Sequence, residues 1–158
     1  MKKLLVLTLL MVTISLNAQT VKQIRNNVAE INGFKNYKIK TLDPSYFDEK
    51  NQVTDNGQEL TGYYKAENLK KIVHWIGLSS KKIINEYYFE NGSLIFVSSS
   101  EFQILDDKGY LLKPKLIFTD RYYYHQKKLI NANKDDKKQG LEFLSQSKIL
   151  QKDLGTMQ

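Results

Sequence analysis

Apolar residues at Val21, Ile24, Val28 and Ile31 alternate with Lys22, Arg25, Asn26 and Glu30 at helical spacing, which predicts an amphipathic helix over about 20–33. Thr20 to Gln23 has the spacing of a capping box and Gly33 supplies a stop. From Asn36 the period shortens to two. Tyr37 and Ile39 alternate with Lys38 and Lys40, which reads as a half-buried strand ending at the turn Asp43-Pro44. Residues 45–58 are polar and include Asp55-Asn56-Gly57, so a loop is expected there, with Tyr46, Phe47 and Val53 available for a brief strand. Helical spacing returns at about 136–154 with Leu141, Phe143, Leu144, Leu150 and Leu154, behind Asp135 and Asp136, whose charges suit a helix start.

Between these helices one pattern appears three times. Glu86 to Phe96 aligns without gaps on Arg121 to Asn131, sharing Tyr-Tyr and Leu-Ile, and Gly62 to Ile72 joins them if one residue is deleted at its turn. Each unit reads as a β-hairpin, most clearly where Asn91-Gly92 offers the two positive-φ positions of a type I′ turn. The turns near Asn68 and at Gln126-Lys127 lack glycine, so longer or bulged loops are expected there. Gly77 to Lys82 and Asp106 to Gly109 link successive hairpins, and Pro114 marks a strand start or an edge. The expected architecture is α+β: an antiparallel β-meander of about six strands over about 36–132, with an N-terminal and a C-terminal helix packed on one face.

The first residues change where this domain is expected to work. Lys2 and Lys3 precede thirteen uncharged residues from Leu4 to Leu16, followed by Asn17, Ala18 and Gln19. This is the pattern of a signal peptide over 1–18, cleaved after Ala18, with 19–158 exported to the periplasm or secreted as one domain. The apolar run is shorter than the roughly 20 residues a bilayer needs. With no cysteine in the chain, lipoprotein attachment, disulfides and thiolate metal sites are excluded, and the core alone must stabilise the fold. Cleavage leaves 22 basic and 17 acidic side chains, so the formal charge falls from +7 to +5.

Candidate chemistry centres on the tyrosines. Neighbouring residues of a strand face opposite ways, so the pairs Tyr63-Tyr64, Tyr87-Tyr88 and Tyr122-Tyr123 should each send one ring toward the helices and one away. The outward set would form an aromatic row fringed by Lys65, Lys70, Lys71, Lys127 and Lys128, suited to a sugar ring, a lipid head region or another protein. The structural alternative is that the same rings make ordinary cross-strand pairs. His74 and His125 show no metal-site spacing and no base partner, and Ser98 to Ser100 lack a nucleophile elbow. Glu101, Asp106, Asp107 and Asp120 provide acids without singling out an acid–base pair. No catalytic residue, metal or cofactor is assigned. Two arginines, Arg25 and Arg121, and a modest charge do not make a nucleic-acid surface.

These features suggest an exported, non-enzymatic binding or accessory module that meets an envelope protein or glycan through a sheet face or edge. One alternative is a small periplasmic hydrolase or enzyme inhibitor with its site between the sheet and residues 45–58; another is a structural envelope accessory protein. At Glu86 to Val97 and Arg121 to Ile130 the chain resembles an uncharacterised group of exported proteins of Gram-negative bacteria that carry Tyr-Tyr-Phe, an Asn-Gly turn and Leu-Ile-Phe between two helices. The likeness runs over most of the mature chain, including Gly57 to Ile72, and implies export and a helix-flanked meander while carrying over no functional residue. A weaker likeness to MORN-type repeats rests on the Tyr-x-x-Asn-Gly-x-Leu core and the 24-residue step from Tyr63 to Tyr87.

Overall fold

The computed structural model describes residues 20–107, 109–132 and 136–155. The signal segment 1–18, its cleavage point and Asp135 lie outside the described residues. Among the described residues no helix is long and apolar enough to cross a membrane.

Helix α1 spans 20–33, as its spacing predicts. Strand β1 (Lys38–Leu42) and a short helix α2 (Pro44–Glu49) follow. Next come β2 (Gln58–Lys65), β3 (Asn68–Gly77), β4 (Lys81–Glu90), β5 (Ser93–Asp106), β6 (Gly109–His125), β7 (Lys128–Ala132) and the C-terminal helix α3 (Lys137–Gly155). The seven strands form one antiparallel sheet in sequence order, one strand more than the six expected. Helix α2 replaces the loop or brief strand expected after residue 45. Asp43 caps it by accepting from the Ser45 amide at 3.0 Å, and Pro44 sits in its first turn, where a missing N–H costs nothing.

The two long helices cover opposite faces of the sheet, not one face as expected. Val21, Ile24 and Ile31 of α1 pack on Tyr88, Ile95, Phe96 and Tyr123. On the other face, Phe143, Leu150 and Leu154 of α3 pack with Leu60, Ile72, Tyr87, Phe89, Val97, Tyr122 and Tyr124, joined by Leu42 and by Phe47 of α2. The cause is legible in β4 to β6. Tyr87-Tyr88-Phe89, Leu94 to Val97 and Tyr122-Tyr123-Tyr124 are unbroken apolar runs, and a strand apolar on both faces needs cover on both.

All three hairpins close with two-residue turns of positive φ: Ala66-Glu67 (48° and 63°), Asn91-Gly92 (48° and 73°) and Gln126-Lys127 (50° and 61°). The longer loops expected for the glycine-free units do not form, because the strand ends Lys65↔Asn68 and His125↔Lys128 pair directly across the turns. Each hairpin also has a bulge one step further in, which leaves Lys70, Ile95 and Ile130 as the extra residues. Bulges of this kind increase local twist. The repeat therefore aligns without any deletion, with Tyr63, Tyr88 and Tyr123 equivalent and Tyr64, Phe89 and Tyr124 equivalent. The sequence alignment of Tyr63 with Tyr87 is one residue off. Gly62 holds the place of the Tyr87 and Tyr122 rings, because a Cβ there would lie 2.8 Å from Leu154 and 2.9 Å from Tyr64.

Strands β5 and β6 extend as a pair beyond the rest of the sheet. Among the described residues β6 pairs only with β5 from residue 109 to residue 121, and Leu112, Leu116, Ile117 and Phe118 are exposed along it. Pro114 lies there, on a free edge that tolerates its missing donor.

Candidate functional site

The structure does not assemble the six tyrosines into an exposed row. Tyr87 and Tyr122 are buried against Phe143 of α3, with edge-on contacts at 5.9 and 5.1 Å, and the Tyr87 hydroxyl donates to Gln146 Oε1 at 2.8 Å. Tyr88 and Tyr123 are buried under α1. Tyr63 is half-buried edge-on to Tyr37, and Tyr64 is half-buried with Lys40 over its ring. An aromatic ladder does cross the sheet: Tyr88 and Phe96 lie 5.6 Å apart and Phe96 and Tyr123 5.0 Å apart. Helix α1 takes it as a packing surface, which accounts for the burial of both tyrosines (2% and 5% exposed).

Where α1 stops covering the strands, a cleft of about 480 Å³ opens beside the ladder. Its floor continues from the aromatic row to the next cross-strand row, in which Glu86 pairs with Ser98 and Ser98 with Arg121. Helix α1 contributes Arg25 and Asn32. The Arg25 Nε donates to the Tyr123 hydroxyl at 3.2 Å, with the guanidinium 5.5 Å from that ring's centroid. The Tyr88 hydroxyl donates to Asn32 Oδ1 at 3.1 Å. Lys71 ties the wall together, 2.5 Å from Glu86, 3.2 Å from Asn32 Oδ1 and 4.9 Å from the Tyr88 ring centroid. Burial, the largest single influence, would depress the Lys71 ammonium, but the Glu86 and Tyr88 contacts together outweigh it and raise the pKa, so this lysine stays charged.

Two guanidinium groups and one carboxylate thus line the cleft, and Lys71 stands behind the wall as the ion-pair partner of Glu86. The arginines are the only two among 24 basic residues of the chain, and both are on the cleft although 96 positions separate them. Guanidinium groups present planar forks that match carboxylate or phosphate oxygens, which lysine ammonium groups do not. The signal that could have found them was available: Arg121 lies two residues before Tyr123 and therefore on the same strand face.

His74 lies on the α3 face, buried and stacked on Phe47 at 5.9 Å, with Nε2 paired to Gln58 Oε1 at 2.9 Å. Burial lowers its pKa to about 4, the Asp153 charge opposing weakly, so the ring is neutral at pH 7. Phe47 occupies the space in front of this histidine. His125 flanks the third turn and is exposed. Among the described residues no group of three or more His, Asp or Glu is placed to hold a metal ion. The chain matches no protein-family model, and no curated protein or solved structure is significantly similar to it.

Proposed function

We propose that the protein is an exported, non-enzymatic binding module whose recognition site is the cleft between α1 and strands β4 to β6, and that it takes an anionic group of an envelope component. The observation that carries this reading is the meeting of both arginines of the chain on one cleft, over a wall fixed by Tyr88, Tyr123 and Lys71. Binding is favoured over catalysis because the cleft offers cations and hydrogen-bonding groups without a histidine, and His74 is packed behind Phe47. A single bidentate guanidinium–carboxylate contact contributes on the order of 1.5–3 kcal/mol.

The test is calorimetric titration of the full chain with oligogalacturonate, with inorganic phosphate, and with a neutral galactan as control. Binding of either anion, weakened at least tenfold in both Arg25→Gln and Arg121→Gln and diminished by salt, supports the reading. No anion binding at millimolar concentration, or unchanged affinity in both folded variants, overturns it.

A further inference from the structure

The opposite face of the same strands carries a second cleft of about 300 Å³, between the sheet and the start of α3. It is built from the residues next in sequence to those of the first cleft. Asn85 pairs across the sheet with Ser99, and Ser99 with Asp120, so these three side chains form one row. Asp136 reaches the same cleft from the entrance of α3, where its Oδ1 accepts from the Gln139 amide at 2.9 Å. The walls are aromatic, supplied by Phe118, Tyr122 and Phe143.

The observation that sets this place apart is Asn85. The residue is 5% exposed, it lines the cleft, and among the described residues its Oδ1 has no hydrogen-bond partner. A buried carbonyl oxygen without a donor is costly and is rare in folded proteins. Two carboxylates stand near the same spot: the Tyr122 hydroxyl is pushed up to about 12, by burial first and then by the charges of Asp120 and Asp136. The cleft therefore presents an acceptor lacking a donor, negative charge and aromatic walls. The acids are too dispersed to qualify as a metal cluster among the described residues, which points away from a bare divalent ion. A volume near the lower end of ligand pockets, about 300–1,000 Å³, suits a small head group on a short chain.

We infer that this acidic cleft is a second binding site, for an alkylammonium group: its N–H donors satisfy Asn85 Oδ1 and the Ser99 hydroxyl, Asp120 and Asp136 balance its charge, and Phe118 and Tyr122 flank its methylenes. The ammonium comes either from a free diamine or from a lysine side chain of a protein partner. Aromatic faces beside such a cation add to its binding when solvent is excluded.

The test is titration of the full, isotope-labelled chain, followed through the Asn85 side-chain amide signals in nitrogen–proton NMR spectra. The probes are cadaverine, Nα-acetyl-lysine methylamide, 1,5-pentanediol as the uncharged analogue, and calcium chloride. Saturable shifts at Asn85 with an amine, absent with the diol, support the site, and the amine that binds more tightly identifies the source. Affinity should fall at least tenfold in Asp120→Asn and in Asp136→Asn, the latter keeping its capping oxygen. Asn85→Leu, followed through the backbone amide signals of Ser99 and Asp120, should abolish amine binding while raising the melting temperature, the signature of a polar group kept for a ligand and not for the fold. No Asn85 shift with either amine, an equal shift with the diol or with calcium, or unchanged affinity in both aspartate variants overturns the inference.

Discussion

The three hairpins provide an internal experiment on turn chemistry, because one geometry is built from three different residue pairs. Lys127 has φ of 61° and Glu67 φ of 63°, where the second hairpin has Gly92 at 73°. A side chain held in the left-handed region costs roughly 1–2 kcal/mol relative to glycine, while glycine loses about 0.5–1 kcal/mol more backbone entropy on folding. Lys127→Gly should therefore stabilise the protein by about 0.5–1 kcal/mol, and Glu67→Gly by the same less its exposed 3.1 Å pair with Lys38, which contributes little. Gly92→Ala should lose a similar amount, because a Cβ there meets nothing within 4 Å and the substitution acts through the backbone alone. For a domain of this size about 1 kcal/mol moves the melting temperature by roughly 3–5 °C, so each change should read as about 2–4 °C in a calorimetric scan. If both glycine substitutions lower the melting temperature, or Gly92→Ala leaves it unchanged, the equivalence of the three turns is wrong.

Other expectations follow from single contacts. Gly77→Ala should cost about 1–3 kcal/mol in urea unfolding, since its Cβ would stand 2.5 Å from the Asn56 carbonyl oxygen in a backbone pair closed by Gly77 N donating to Gly57 O at 2.7 Å; Gly33→Ala, with open space around it, should not lower stability. His74 is neutral when folded, with a pKa of about 4 against 6.5 unfolded, so its contribution is present above pH 6.5 and is lost as pH falls toward 4. Between pH 6.5 and 5 the wild type should lose about 1.6 kcal/mol that His74→Gln does not, measured as urea midpoints; identical pH dependence would exclude this assignment. Leu94→Ala, on a buried arm of the central hairpin, should cost about 2–5 kcal/mol, and a loss below about 1 kcal/mol would contradict its place in the core.

Helix α1, the meander and the C-terminal helix were legible because each depends on a period sustained over many residues. The sequence is ambiguous where one residue decides the geometry. Gly62 broke the apparent repeat by standing in a ring position that Leu154 fills from α3, a contact visible only in three dimensions. Ala66-Glu67 and Gln126-Lys127 adopt a turn their own preferences resist, because the flanking strand pairs impose it. Helix α2, six residues long, is too short for a period to announce it, although Asp43-Pro44-Ser45 is the start signal of a helix as much as of a turn. The tyrosines drew attention to the aromatic row, and the sequence did not say that α1 would cover it. The arginines looked too few for a surface, which is true, and two are enough for a cleft.

The polar residues inside the long strands tie both clefts to one sequence device. In β4, β5 and β6 the apolar runs are interrupted by Asn85-Glu86, Ser98-Ser99 and Asp120-Arg121. Strand alternation splits each pair between the faces, so Glu86, Ser98 and Arg121 line the cleft of α1 while Asn85, Ser99 and Asp120 line that of α3. A sheet selected for stability alone would gain from apolar residues at half-covered central positions, since desolvating polar groups costs free energy that packing must offset. The balance of charge also differs by face: the cleft under α1 has both arginines beside Glu86, and the one under α3 has Asp120, Asp136 and Glu101, the last paired with Lys81. Register is what keeps them apart, since a slip of one residue in a strand would send each polar side chain to the other face. The three bulges and two-residue turns pin that register at the hairpin ends, next to the rows that form the two clefts. The rigidity of the tyrosine-marked hairpins is thus a requirement of the proposed binding sites, whose polar residues stand on strands held by the buried aromatic rings.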